Sequence, residues 1–174
     1  MRDVRFNIEW CGDPLLAREL ARFFDRNVDP EYISHGELQG RRALSPGEWR
    51  DELPEILERE IEPRLAETQQ GIPGPVSKPI LVAKDGGTLA GLSLVTFAGA
   101  APVPFAIIED LIVDGSCRDK GIGTAILDRI AAEAQARNIR RLFLESGAHN
   151  SRAHKLFERN GFQVCSVVMM RSLD

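Results

Sequence analysis

Between Ser116 and Ile130 the chain reads SCRDKGIGTAILDRI, a charged, glycine-containing step that runs straight into a helical apolar pattern. The first N–H groups of a helix have no partner inside it, and they sit at the positive end of the helix dipole. Glycines at that point let the backbone close on an anion, above all a phosphate. Arg118, Asp119, Lys120, Gly121, Ile122 and Gly123 offer that geometry, and Thr124 completes the first turn. No Gly-Lys-Ser/Thr follows, so this is not a Walker loop, and the third glycine of the dinucleotide fingerprint is missing. Taken alone, the stretch fits a plain loop-to-helix turn equally well.

Just upstream, FAIIEDLIV (105–113) places two acids, Glu109 and Asp110, inside an apolar strand pattern. Neighbouring strand residues face opposite sides, so only one of the two can readily face a given cleft. A carboxylate there can bind a cationic amine or take its proton; the bland alternative is a solvated acid or one paired with an arginine. His149 and His154 are candidate proton donors, or else surface histidines. Cys11, Cys117 and Cys165 are scattered singly, with neither metal-ligand nor disulfide spacing, and no metal is expected.

These residues need elements to hold them. Val4–Trp10 alternates like a strand. Pro14 to Val28 reads as a helix with Asp13 as N-cap and Pro14 in its first turn. Residues 29–44 read as a loop with a short helical turn. Ser45 and Pro46 open a second helical stretch, with Trp49, Leu53, Ile56, Leu57, Ile61 and Leu65 in one stripe that Pro54 and Pro63 interrupt. Residues 71–79 form a linker. Ile80–Lys84 and Thr88–Phe97 flank a hairpin turn at Asp85, Gly86 and Gly87. A strand over 105–113, a helix over 121–137, a strand over 140–145, a helix over 150–160 closed by Gly161 and a last strand over 162–171 follow. The fold class expected is α/β (α+β), a mixed sheet with helices packed against it.

At 174 residues the chain fits one domain, with 43% hydrophobic and 28% charged residues. No apolar run reaches membrane-spanning length and no signal-peptide core is visible, so a cytoplasmic location and no membrane partner are expected. The net charge of −4 is uneven. Up to Cys117 there are 12 basic against 20 acidic residues; from Arg118 on there are 10 against 6. A basic later third suits an anionic ligand and an acidic earlier part a cationic one, while nucleic acid is disfavoured.

The stretch LIVDGSCRDKGIGTAILDRIAAEA, then RRLFLES, then HNSRAHKLFERNGF, resembles the GCN5-related N-acetyltransferase (GNAT) family. The likeness is specific over Glu109–Phe162 and consistent in element order from Ile80 onward. It implies a mostly antiparallel sheet of six or seven strands. Residues 1–79 would supply an N-terminal strand and acceptor-wall helices, and 80–174 the acetyl-CoA-binding core. It further implies that Arg118 to Gly123, with Thr124, meets the pyrophosphate of acetyl-CoA. The backbone of Leu111, Ile112 and Val113 would pair with pantetheine, and Asn150 would contact the cofactor near the thioester. Ala153 and Phe157 would belong to the cofactor helix. The implied reaction is direct attack by an amine of a small molecule or protein, with Glu109 as base or amine-binding carboxylate, Asp110 second and His149 a further candidate. Many relatives carry Tyr where Phe157 stands, and phenylalanine cannot donate a proton. The competing expectation is therefore a module that binds acyl-CoA without turnover. The apolar last strand (VCSVVMM) suggests a homodimer.

Overall fold

The computed structural model describes residues 6–173; Val4 and Arg5 of the expected first strand lie outside them. The elements are β1 (Phe6–Cys11), α1 (Ala17–Asn27), α2 (His35–Gln39), β2 (Ala43–Ser45), β3 (Glu48–Trp49), α3 (Leu53–Thr68), β4 (Val76–Ser77), β5 (Ile80–Asp85), β6 (Thr88–Ala98), β7 (Phe105–Val113), α4 (Ile122–Ala136), β8 (Leu142–Leu144) and α5 (Ser151–Arg159). Short 3₁₀ turns occupy Pro14–Leu16, Pro30–Tyr32 and Gly115–Cys117.

Six strands form one sheet in the order β1-β5-β6-β7-β8, with β4 beside the end of β6. All pairs are antiparallel except β7–β8. Helices cover both faces, which is why β5 reads as an unbroken apolar run rather than an alternation. Ile80 and Val82 join Phe23, Phe24, Leu57, Ile61 and Leu65 in the α1–α3 core. Leu81 and Ala83 join Ile122, Ile126, Ile130 and Phe157 in the α4–α5 core. Each fully buried large side chain of this kind stabilises the fold by about 1.5–3 kcal/mol before ordering entropy is charged against it.

Two expectations fail for physical reasons. Ser45 and Pro46 do not open a helix. They belong to a β2–β3 hairpin, and α3 begins only at Leu53, with Pro54 harmless in its first turn. Trp49 sits on β3 because its ring packs against Phe24 and Tyr32 and its Nε1 donates to the Asp29 carbonyl at 3.2 Å. Pro63 is tolerated inside an unbroken α3, because Leu57, Ile61 and Leu65, spaced by one turn, bury the opposite face. The last strand does not form either. After Phe162, residues 163–173 are exposed and make no backbone hydrogen bond within the described residues. A β-prone sequence becomes a strand only where another strand accepts it.

The loop after β8 is pressed onto the turn at Pro30–Tyr32. A Cβ on Gly147 would fall on the Glu31 carbonyl oxygen and 2.7 Å from that of Ile33. His35 and Glu145 add an ion pair across the same junction at 3.3 Å. Gly147→Ala should therefore cost about 1–3 kcal/mol, the range for forced overpacking, read as a lower midpoint in urea unfolding followed by circular dichroism.

Candidate active site

β7 and β8 run side by side only over Ala106–Ile108 and Leu142–Leu144. Beyond Ile108 they part, and a cleft of about 1250 Å³ opens between them. The strand changes character at the same point. In the β6–β7 register Leu94 faces Asp110 and Val95 faces Ile108, so Glu109 is an extra, bulged residue. A bulge reverses the face of every later side chain. Ile108 lies in the α4–α5 core, whereas Ile112 lies in the α1–α3 core. Glu109 and Asp110 thereby both line the cleft, which simple alternation would have forbidden.

The two carboxylates have different surroundings. The Asp110 side chain is 0% exposed. Arg42 Nη1 reaches both of its oxygens at 3.0 Å, and the Tyr32 hydroxyl donates to Oδ1 at 2.8 Å. Arg42 is shared further with Glu60 at 2.6 Å and Glu37 at 3.8 Å. Burial works against the Arg42 charge, yet Asp110 and Glu60 outweigh it and raise the guanidinium pKa. Burial first, and Asp110 second, push the Tyr32 phenol well above its ordinary value, so Tyr32 stays protonated.

Glu109 is 29% exposed and contacts Arg64 and Thr96 through separate oxygens. Burial lifts its pKa, but the Arg64 charge, the Thr96 hydroxyl and Lys78 together hold it below 4.5. It is an anion at neutral pH.

The glycine-helix junction follows. Gly121 adopts φ +88°, a left-handed conformation that favours glycine. Among the described residues no acceptor meets the N–H groups of Ile122, Gly123 and Thr124, while Ala125 already bonds back to Gly121. Gly123 serves a different purpose from Gly121: a Cβ there would stand 2.8 Å from Leu156 Cδ2, so its smallness admits α5 beside α4. The Arg118 guanidinium is occupied by the carbonyls of Val113 (3.3 Å) and Asn27 (3.0 Å), so it fastens the loop to α1. Asp119 pairs with Arg152 at 2.5 Å. Asn150 caps α5 through Ala153 N–H at 3.3 Å.

Leu111, Ile112, Val113, Arg118, Asp119, Gly121, Ile122, Gly123, Thr124, Asn150, Ala153 and Phe157 all line the cleft, as do Glu109 and Asp110. Lys120 and His149 do not; both are exposed beside it. Sequence reasoning missed Arg42, Arg64 and Thr96, and left Tyr32 in a loop. The Leu111 N–H points away from β6 and makes only a long 3.4 Å bond to the Tyr32 hydroxyl. The cleft thus offers backbone donors at two levels, a weakly engaged one beside an anionic carboxylate and open ones at a helix N-terminus. That pairing suits a phosphate-bearing ligand whose far end meets a cation.

A splayed parallel strand pair, a β7 bulge and a glycine-initiated helix frame the cleft. Residues 44–162 match the Acetyltransferase (GNAT) family, and the chain belongs to it. It is 34% identical over 88 residues to a putative phosphinothricin acetyltransferase, YwnH, of Bacillus subtilis, covering 49% of this chain and 54% of that protein. The chain spans about half the length of the curated relatives it matches. A tetramutant of the BH1408 protein from Bacillus halodurans superposes with a TM-score of 0.70 at 18% identity, over 96% of this chain and 99% of that one. An aminoglycoside N-acetyltransferase, AAC(6′)-Iy, in complex with CoA superposes with a TM-score of 0.63 at 12% identity, over 97% and 94%. These likenesses carry the fold.

Removing one partner of a buried ion pair costs about 3–5 kcal/mol, because the other charge is left without compensation. Arg42→Met should lose stability of that order in urea titrations, and Arg42→Met with Asp110→Asn should lose less than Arg42→Met alone. Glu109 predicts a pH effect. Its folded pKa is depressed, so its contribution is present above the unfolded value near 4.5 and disappears as pH falls through the folded value. Arg64→Met should be less stable than the parent at pH 7, and the gap should narrow as pH falls below 4.5, as followed by thermal melts.

Proposed function

We propose that the protein is an acetyl-CoA-dependent N-acetyltransferase acting on a cationic amine. The observation that carries this reading is the cleft itself, which holds Glu109 as an anion, the weakly bonded Leu111 N–H and the open start of α4. Acetyl-CoA fits with its pyrophosphate on the N–H groups of residues 122–124 and its pantetheine along Leu111–Val113. The thioester oxygen then falls to the Leu111 N–H, a donor able to stabilise the charge that develops on it. The CoA in the AAC(6′)-Iy structure supports the cofactor class.

The acceptor side is acidic. Asp29, Glu31 and Glu67 line the cleft without an ion pair among the described residues, against Arg41 and Lys78. A positively charged acceptor suits it, and its approach is favoured electrostatically. Glu109 is a poor final proton acceptor. An alkylammonium near pKa 10.4 and a carboxylate below 4.5 differ by about six units, or about 8 kcal/mol. Its role is to anchor the ammonium and pass its proton to water. Nucleophilic attack by the neutral amine forms the C–N bond, the C–S bond breaks, the attacking nitrogen gives up one proton to solvent, and CoA leaves as a thiolate that takes one up. Tyr32 is a weak acid here, its proton committed to Asp110.

The test is thiol release from acetyl-CoA across a panel of monoamines, polyamines, amino sugars and amino acids. Glu109→Gln should lower kcat/KM by about a hundredfold at neutral pH, less at high pH where the amine is already neutral, and leave CoA affinity by calorimetry unchanged. Parental kcat/KM in that variant would remove Glu109 from the reaction. CoA binding with no thiol release from any amine would favour the competing reading, suggested by Phe157, of a binding module.

A further inference from the structure

The surroundings of Glu109 carry more positive charge than the anchor of a simple amine needs. Arg64 contacts its Oε2, and Lys78 adds a second cation whose field also favours the Glu109 anion. Lys78 lines the cleft, is exposed and has no ion pair among the described residues. The acids nearby do not offset these two cations. Asp110 is spent on Arg42 and Tyr32. Glu67, about one turn beyond Arg64 on α3, is exposed at the rim, where it also lines a smaller depression with Gln69 and Gln70.

Arg64 is only partly engaged. Its Nη2 donates to Glu109, while its Nη1 is shut away from water with no hydrogen-bond partner among the described residues. The side chain that carries it is 13% exposed and lines the cleft. A buried guanidinium N–H without an acceptor is a costly arrangement, and a carboxylate is the group that suits it. Glu109 is not saturated either. Arg64 and Thr96 each take one position on it, a carboxylate has about four, and part of the side chain remains exposed. The contact pair therefore presents an open acceptor beside an unmatched donor.

We propose that the cleft binds an α-amino acid as its acceptor, with the ammonium on Glu109 and the carboxylate on Arg64 and Lys78. An ammonium and a carboxylate on one carbon are the mirror of a carboxylate and a guanidinium in contact, so opposite charges alternate around one point. A plain alkylammonium would set three cations, its own included, against the one anion of Glu109; the zwitterion sets two anions against those three. The α-nitrogen gains the acetyl group and gives up a proton as in the reaction above, and the carboxylate takes no part. The product has no ammonium left for Glu109, which favours its release. This inference rests on the amine-acetylation reading and narrows it to one class of acceptor.

The test compares each common L-amino acid with its amide, which keeps the α-amine and loses the anion. The amide's amine is less basic, so more of it is neutral at neutral pH, and intrinsic reactivity favours the amide. Thiol release from acetyl-CoA should nonetheless give the best amino acid a kcat/KM about ten- to a hundredfold above that of its amide, the range for a hydrogen bond to a charged group. Lys78→Met should shrink that ratio by about two- to fivefold. Lys78 is exposed and has no ion pair, and circular dichroism checks that the variant folds like the parent. Calorimetric titration of the same two compounds into the CoA-loaded protein reads the site without turnover, and the amino acid should bind more tightly by a similar factor. Amides turned over as well as the amino acids would overturn this inference and leave the amine-acetylation reading standing. Tight binding of the amino acid alone, with no thiol release from any compound, would keep the amino-acid site and sink the transferase reading. Neither thiol release nor a calorimetric preference would defeat both.

Discussion

One extra residue in β7 governs the chemistry of this protein. Without the bulge at Glu109, Ile108, Asp110 and Ile112 would share a face, and a carboxylate would be buried in the α4–α5 core among Ile122, Ile126 and Phe97. The bulge moves Asp110 to the other side, where Arg42 and Tyr32 wait for it, and leaves Glu109 at the mouth of the cleft. It also turns the Leu111 N–H out of the β6 ladder. Three features of the site therefore share one cause in the backbone. Side-chain substitutions nearby can tune the site, but a register shift would dismantle it.

Burying Asp110 is costly, because water does not reach its carboxylate. Desolvating Asp110 and Arg42 takes back much of their mutual attraction, so the pair is no strong source of stability compared with apolar residues of the same shape. Its effect is to fix geometry. Arg42 arrives from the β2 side of the molecule, and its guanidinium lies 5.4 Å from the centre of the Phe24 ring on α1. Glu60 on α3 takes its other edge. Four segments distant in sequence thus meet at one cation, and the α1, β2 and α3 side of the cleft gains a position relative to β7 that apolar packing alone would leave loose.

The α4–α5 side of the cleft was legible in the sequence and the α1–α3 side was not, for a reason of range. Gly121, the N–H groups after it, Asn150 as a cap and Gly161 at φ +86° are local devices whose residues lie within a few positions of one another. The α1–α3 side depends on Arg42–Asp110, Tyr32–Asp110 and Arg64–Glu109, pairs separated by 68, 78 and 45 residues. Nothing in RRAL or in EPRL marks Arg42 or Arg64 as partners of β7. The β2–β3 hairpin was hidden similarly, since the Trp49 ring gains more from Phe24 and Tyr32 than a helical stripe would have offered. Two residues kept their place but changed their reason. Arg118 was expected at phosphate and is held by backbone carbonyls, and Gly123 was expected to admit a ligand and admits Leu156.

The two halves are joined through the end of α1. Asn27 closes that helix and works in three directions: its amide donates to the Phe23 carbonyl, its Oδ1 accepts from Gly115, and its own carbonyl accepts from Arg118. One turn earlier, Phe24 supports Tyr32, Trp49 and Arg42. A single helical turn therefore carries the loop that precedes the open N–H groups of α4 and also the base of the Arg42–Asp110 cluster. The apolar face of α1 is fully buried at Phe23 and Phe24, so this turn cannot shift to suit one half of the cleft without moving the other. The distance between the open N–H groups of α4 and the carboxylates of β7 is set by packing in the α1–α3 core, well away from either group.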